Sequence, residues 1–273
     1  MHVDQMTADI NTDEALLEQL SAIALKAGEK ALEIYHSDFE AQTKSDDSPV
    51  TEADRLGEEI ILEGLSKVAP AIPVLAEEAA SEGKIPELGA EFFLVDPLDG
   101  TKEFVNKTGE FTVNIALVRD GVSVLGVVFA PALGRLYAGA LGAGAWAQDI
   151  AKDGSLGTRA AISARPVPEQ DLVAMASRSH RTPETDAFLE TLKLKDFAAA
   201  GSSLKFCRIA EGAADVYPRF GRTMEWDTGA AHAVLSAAGG AVRTYPEDEP
   251  LAYGKKERGF DNPYFIAWGA GKA

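Results

Sequence analysis

Along the first part of the chain the apolar positions fall at helical spacing. Asn11 and Glu14 read as a capping box ahead of Leu16, Leu20, Ile23, Ala27, Ala31 and Ile34, which predicts a long amphipathic helix ending near Tyr35. A polar stretch over 42–49 leads to Thr51, the expected N-cap of a second helix whose face carries Leu56, Ile60 and Leu65 and which Pro70 and Pro73 close. Beyond Pro73 the pattern becomes that of short β-strands, over 74–76, 92–95, 112–118, 122–129, 136–139 and 143–147. Turn signals such as Asp120-Gly121 and Leu133-Gly134 between them predict an antiparallel meander. Residues 152–171, with two glycines and two prolines, read as a seam. After the seam, strands expected at 172–176, 197–199 and 214–217 alternate with helices at 184–192, 203–211 and 228–238. The whole reads as an α/β protein, an α+β subdomain over 1–151 followed by an α/β subdomain over 152–273, with the functional site between them.

Composition narrows the function classes. The 273 residues are 46% hydrophobic and 25% charged, which excludes disordered and fibrous chains. A formal net charge of −17 repels nucleic acid polymers and anionic membrane surfaces, so neither is an expected partner. The excess is uneven: residues 1–100 carry 23 acidic and 6 basic side chains, whereas residues 101–273 carry 20 of each. The one cysteine, Cys207, forms no internal disulfide, and the opening residues lack the basic and apolar regions of a secretory signal. The most apolar stretch, over 122–133, is interrupted by Gly126 and Pro131 and is shorter than the ~20 residues of a membrane-spanning helix. A cytoplasmic protein is expected, with a peripheral place at the inner membrane left open, as a monomer or a homodimer.

The candidate chemistry lies in the acidic part. The apolar run before Asp96-Pro97-Leu98-Asp99-Gly100-Thr101 delivers two carboxylates to a strand end, with Pro97 and Gly100 forcing a tight turn. Like charges held close raise each other's pKa unless a cation neutralises them, and hard divalent cations take oxygen ligands. A plain β-turn at Asp99-Gly100 would also account for the segment. Glu77-Glu78 ends a second strand, or stands in an exposed loop. Asp54 is the acidic member of a Thr-x-x-Asp cap, a role compatible with catalysis, and Asp227 opens an Ala-rich helix, where capping alone would place an acid. His36 and His232 read as ordinary helix residues. Three basic islands stand out in the second half: Gly201 to Phe206 with Ser202 and Lys205, Ser177 to Arg181 with His180, and Tyr217 to Arg222 with Arg219. A Ser N-cap and solvated loops would explain them singly; together they fit a ligand with a second anionic group.

Asp96-Pro97-Leu98-Asp99-Gly100-Thr101, preceded by Leu75-Ala76-Glu77-Glu78 and followed by Trp226-Asp227 before a Gly/Ala-rich helix, resembles the inositol monophosphatase superfamily of metal-dependent, lithium-sensitive phosphatases. The resemblance implies a layered αβαβα sandwich of the inositol monophosphatase and fructose bisphosphatase type. It implies two or three Mg²⁺ ions held by Glu77, Asp96, the Leu98 carbonyl, Asp99 and Asp227, inhibition by Li⁺, and an attacking water served by Thr101 and Asp54. The basic islands and the run Asp99 to Phe104 are similar to the 3'(2'),5'-bisphosphate nucleotidase branch of the bacterial CysQ type. That branch implies a small-molecule bisphosphate nucleotide as partner: 3'-phosphoadenosine 5'-phosphate, converted to AMP and phosphate in sulfur assimilation. Gly100, Thr101, Ser202, Lys205 and Arg219 would then meet phosphate and sugar, and His180 the base. Inositol phosphatases place an acid seven residues before the last metal-binding aspartate; here that residue is Phe220. An inositol or sugar phosphatase on the same scaffold is the alternative enzyme. A non-catalytic nucleotide sensor is the alternative class, and it would need neither Thr101 nor Asp54.

Overall fold

The computed structural model describes residues 2–43, 49–176 and 182–272 and folds them into five layers of alternating helix and sheet. The outer layer holds α1 (His2–Tyr35) and α2 (Glu52–Val68), joined through a ribbon of β1 (Gln42–Thr43) and β2 (Pro49–Val50). One seven-stranded sheet follows in chain order: β3 (Val74–Ala76), β4 (Glu91–Asp99), β5 (Thr112–Arg119), β6 (Val122–Ala130), β7 (Arg135–Ala140), β8 (Gly144–Asp149) and β9 (Ala160–Ile162). β3 pairs parallel to β4, and the rest form the expected antiparallel meander. Two short helices, α3 (Glu77–Ser81) and α4 (Thr101–Val105), begin where β3 and β4 end.

The second sheet contains β10 (Leu172–Ala176), β11 (Leu194–Ala199), β12 (Val216–Arg219), β13 (Ala241–Thr244) and β14 (Phe265–Trp268), in the order β11-β10-β12-β14-β13. Between the sheets lie α6 (Leu204–Ala210) and α7 (Glu225–Ala237), and α5 (Pro183–Glu190) covers the far face. Among the described residues no helix is long and apolar enough to cross a membrane.

Strand alternation explains why the large sheet reads as nearly unbroken apolar sequence. On β4, Phe93 and Val95 join the core shared with Leu20 and Ile23 of α1 and Ile61 and Leu65 of α2. Their neighbours Phe92 and Leu94 face Ala230 and Val234 of α7 and Phe265 of the second sheet. A strand buried on both faces has no polar side to display. The sole cysteine, Cys207, is buried in the middle layer.

Several elements differ from the sequence pattern. α1 starts at His2 and runs through Asn11, because residues 2–10 contain no glycine or proline to stop helix propagation toward the N-terminus. β9 lies inside the glycine- and proline-bearing stretch over 152–171 and extends the large sheet. α3 and α4, of five residues each, are too short to carry an apolar stripe, and β13 and β14, of four each, are strands only by pairing with one another and with β12.

α7 lies close on the large sheet at Gly126 of β6, where a Cβ would come within 2.0 Å of the Ala230 carbonyl oxygen. The Ser123 hydroxyl donates to the Gly229 carbonyl at 2.8 Å and fixes the same contact. Gly126→Ala is therefore expected to destabilise the fold by at least the roughly 1–3 kcal/mol of an overpacked core. Thermal unfolding measures this; an unchanged Tm would show that α7 can lift without cost.

Candidate active site

α2 begins with a reciprocal cap that also aims a carboxylate. Asp54 Oδ2 accepts from the Thr51 amide at 2.7 Å and from the Thr51 hydroxyl at 2.8 Å. Its other oxygen, Oδ1, accepts from the Thr101 hydroxyl at 3.2 Å, across 47 residues of chain. Asp54 is 1% exposed, so the cap and the contact to Thr101 share one buried carboxylate. The same Thr101 hydroxyl lies 3.4 Å from the Leu98 carbonyl oxygen.

The turn that carries Thr101 is built by β4. Pairing with β5 is regular to Asp96, opposite Asn114, and resumes at Asp99, opposite Thr112, with an irregularity between. Proline supplies no amide to a ladder, which is why Pro97 falls in that break. The Leu98 amide donates to Asp96 Oδ1 at 3.0 Å and closes the turn. Gly100 follows with φ 92, a left-handed conformation that glycine takes without strain, and caps α4 so that Thr101 is its first residue.

Four acids are brought together here. Burial, and then the charges of Glu77, Asp99 and Asp227, push the Asp96 carboxyl well above the usual range, and hydrogen bonding with Glu77 adds to the same effect. Burial raises Asp99 too, against the opposing effect of Ser202, Lys205 and the Ser203 amide. Asp227, the third residue of α7, is raised by burial and by Asp99 and Glu77, although its carboxylate also caps the Met224 amide at 2.9 Å. Among the described residues no three His, Cys, Asp or Glu side chains stand already closed into a metal cage. Asp99 and Asp227 are engaged by the hydroxyl and amide donors just named. The donor set nevertheless fits a hard divalent cation: four carboxylates and the adjoining Leu98 carbonyl are oxygen ligands, and their mutual repulsion is the charge such an ion would neutralise.

Glu77, Asp99, Gly100, Thr101 and Asp227 line a cavity of about 300 Å³ together with Ser202, Lys205, Arg219 and Arg222. The loop before α6 is fastened to the acids. Asp99 Oδ2 accepts from the Ser202 hydroxyl at 2.5 Å and the Ser203 amide at 2.7 Å, and Glu110 accepts from the Gly201 amide at 2.9 Å. These bonds hold Ser202 at φ 53, an unfavourable left-handed conformation for serine. Lys205 is buried beneath the loop, its ammonium donating to the Ser202 carbonyl at 2.6 Å and the Ala200 carbonyl at 3.3 Å, and burial lowers its pKa to about 8. Arg219 is 8% exposed and donates to the Arg222 carbonyl at 2.9 Å. His180 and its neighbours over 177–181 lie outside the described residues.

Sequence reading overlooked a set of polar residues behind the cavity. Thr112 and Asn114 stand at alternate positions, hence on one face, at the start of strand β5, whose next four residues are apolar. Thr112 meets the hydroxyls of both Ser202 and Ser203, the latter at 2.9 Å, and Ser203 donates to Asn114 Oδ1 at 2.7 Å. In the sequence Thr112 and Asn114 are only two polar letters at alternate positions of an apolar run, and their burial is what marks them in the structure. Glu58, four residues after Asp54, is the other: 6% exposed, it accepts from the Glu78 and Ala79 amides, and burial pushes it up to about 7. His232 bonds the Tyr253 hydroxyl at 2.8 Å inside the core, and burial lowers it to about 4.

Comparison with known proteins identifies relatives over nearly the whole chain. The 3'(2'),5'-bisphosphate nucleotidase CysQ of Salmonella typhimurium is 43% identical over 252 residues, 92% of this chain and 98% of its own. CysQ of Escherichia coli K12 is 40% identical, also over 252 residues, again 92% and 98% of the two chains. The crystal structure of CysQ from Bacteroides thetaiotaomicron superposes with a TM-score of 0.77 at 38% identity, covering 93% of this chain and 97% of that one. An inositol monophosphatase from Anabaena superposes at 0.71 with 25% identity, covering 94% and 91%. Residues 12–265 match the model of the inositol monophosphatase family, and the chain belongs to that family.

Proposed function

We propose that this chain is a metal-dependent 3'(2'),5'-bisphosphate nucleotidase that converts 3'-phosphoadenosine 5'-phosphate to AMP and inorganic phosphate. The observation that carries the reading is one cavity in which Glu77, Asp99, Asp227 and Thr101, the last backed by buried Asp54, stand beside Lys205, Arg219 and Arg222. The family is metal-dependent, and the relatives at 40% and 43% identity are named as this enzyme. In this reading residues 1–151 bring most of the metal ligands, and residues 152–273 bring substrate recognition and Asp227.

Mg²⁺ ions, two or three, would be held by Glu77, Asp96, the Leu98 carbonyl, Asp99 and Asp227, and would neutralise charge on the phosphoryl and leaving oxygens. The chain's own part is proton transfer and orientation. With its hydrogen donated to Asp54 Oδ1, the Thr101 hydroxyl offers a lone pair to a water poised for in-line attack. As the new P–O bond forms, the water's proton passes to Thr101 and the Thr101 proton to Asp54, while the bond to the ribose 3'-oxygen breaks. The departing oxygen takes a proton from solvent, and Asp54 returns its own once phosphate leaves. Thr51, holding Oδ2 with two donors, keeps Oδ1 aimed throughout.

Arg219 and Lys205, with Ser202, Gly100 and the Thr101 amide, are proposed to hold the phosphate and sugar of the nucleotide, and His180 the base. Phe220 bears on the inositol alternative: its ring is buried and stacked on Tyr245 at 4.5 Å, so the position presents no acid to a polyol hydroxyl.

Phosphate release from 3'-phosphoadenosine 5'-phosphate, inositol 1-phosphate and fructose 1,6-bisphosphate tests the reading. Turnover is expected on the first, lost in excess chelator, restored by Mg²⁺ and depressed by Li⁺ against a Na⁺ control. Preference for inositol 1-phosphate, or full activity in chelator, would overturn it. Thr101→Ala is expected to lower kcat by roughly 10²–10⁴, as for a lost acid/base group, with substrate binding kept. A raised KM with normal kcat would assign Thr101 to binding instead. A charge-assisted bond to phosphate is worth about 1.5–3 kcal/mol, so Arg219→Ala should cost kcat/KM on the bisphosphate about 10- to 100-fold. The loss on inositol 1-phosphate should be much smaller; equal losses would remove Arg219 from recognition of the second phosphate.

A further inference from the structure

Asp54 and Glu58 occupy one buried face of α2, a single helical turn apart. Each leaves its own helix. Asp54 reaches Thr101 at the end of β4, and Glu58 reaches the start of α3 at the end of β3. α3 has Ala76 at its N-cap and no side-chain cap of its own. Its part-buried first-turn amides at Glu78 and Ala79 donate to Glu58 instead, at 2.8 Å to Oε2 and 2.9 Å to Oε1.

A serine or aspartate at position 76 would satisfy one of those amides locally. The chain uses a carboxylate 20 residues away and buries it beside Glu77 and Glu78, two further acids. Burying a charge near like charges is costly, so a cap alone does not account for the choice. What the long connection adds is rigidity between two elements. A helix of five residues does not hold its own direction. The direction of Glu77, its first residue, is set on one side by β3, through the pairing of Ala76 with Val95, and on the other by the two amide bonds that Glu58 accepts. Gly57, between the two acids on α2, keeps the helix close to Pro97 of the β4 turn, where a Cβ would come within 3.3 Å.

We propose that Glu58 is a positioning residue: it aims Glu77 at the divalent cation and, through one turn of α2, ties that ligand to the Asp54–Thr101 pair. The proposal rests on the metal-dependent reading above. Outer partners that orient a metal ligand typically change metal affinity about 10- to 100-fold when removed.

Calorimetric titration of the chelator-treated protein with Mn²⁺ tests this without recourse to turnover. Wild type is compared with Glu58→Ala, Glu58→Gln and Leu65→Ala, the last removing a core contact of α2 far from the site. Glu58→Ala is expected to weaken Mn²⁺ binding about 10- to 100-fold. Glu58→Gln, which keeps an acceptor for one amide, should lie between it and wild type, and Leu65→Ala should bind as wild type while its Tm falls. Wild-type affinity in a folded Glu58→Ala would overturn the proposal, as would an equal loss in Leu65→Ala. If Glu58→Ala does not fold, Glu58→Gln decides: weakened binding supports the role, and unchanged binding overturns it. Absence of Mn²⁺ binding in wild type would overturn the metal-dependent reading, and this inference with it.

Discussion

Crowded negative charge is the constraint on which this structure depends. Glu77, Asp96, Asp99 and Asp227 come from the ends of β3 and β4 and from the first turn of α7; burial raises all three aspartates, and repulsion by the neighbouring acids adds to it at Asp96 and Asp227. Left to themselves such groups would move apart. They are held by elements that cannot move independently: β3 and β4 by parallel pairing, Asp99 by Ser202 and Ser203, and Asp227 by its own helix cap. A fold that stores repulsion in this way is suited to binding a cation, because the ion relieves a cost already incurred in folding.

The middle layer makes that assembly possible. α7 carries Asp227 from the second half of the chain, and its close approach at Gly126 delivers the carboxylate to strand ends of the large sheet. Lys205, on α6, arrives with the same layer. The Ser202–Ser203 turn before α6 is bonded to Asp99 on one side and to Thr112 and Asn114 on the other, so the acid cluster and the basic wall share hydrogen bonds. A change in the position of Asp99 therefore reaches the loop directly.

Secondary structure with a strong period was legible in advance. The stripes of α1 and α2, the meander from β4 to β8 and the alternation after Leu172 all follow from spacing, since each buries its apolar face against a neighbouring layer. The motif around Asp96 and the placement of Glu77 and Asp227 near element boundaries were legible for the same reason: turns and helix starts have sequence signatures. The partners of those acids had none. Asp54 reads as a cap whether or not Thr101 is near, and Thr112 and Asn114 are only two polar letters in a strand.

The sequence by itself determined the order of helices and strands, the acid-bearing turns and the uneven charge, because these depend on residues close together in the chain. Tertiary structure alone decided that Glu58 caps α3 and that Lys205 serves the loop carbonyls, and it supplies the contact of Thr101 with Asp54 across 47 residues that only the family resemblance implied. Each of these is a hydrogen bond whose geometry is set by how sheets and helices dock, and local sequence carries no record of that docking.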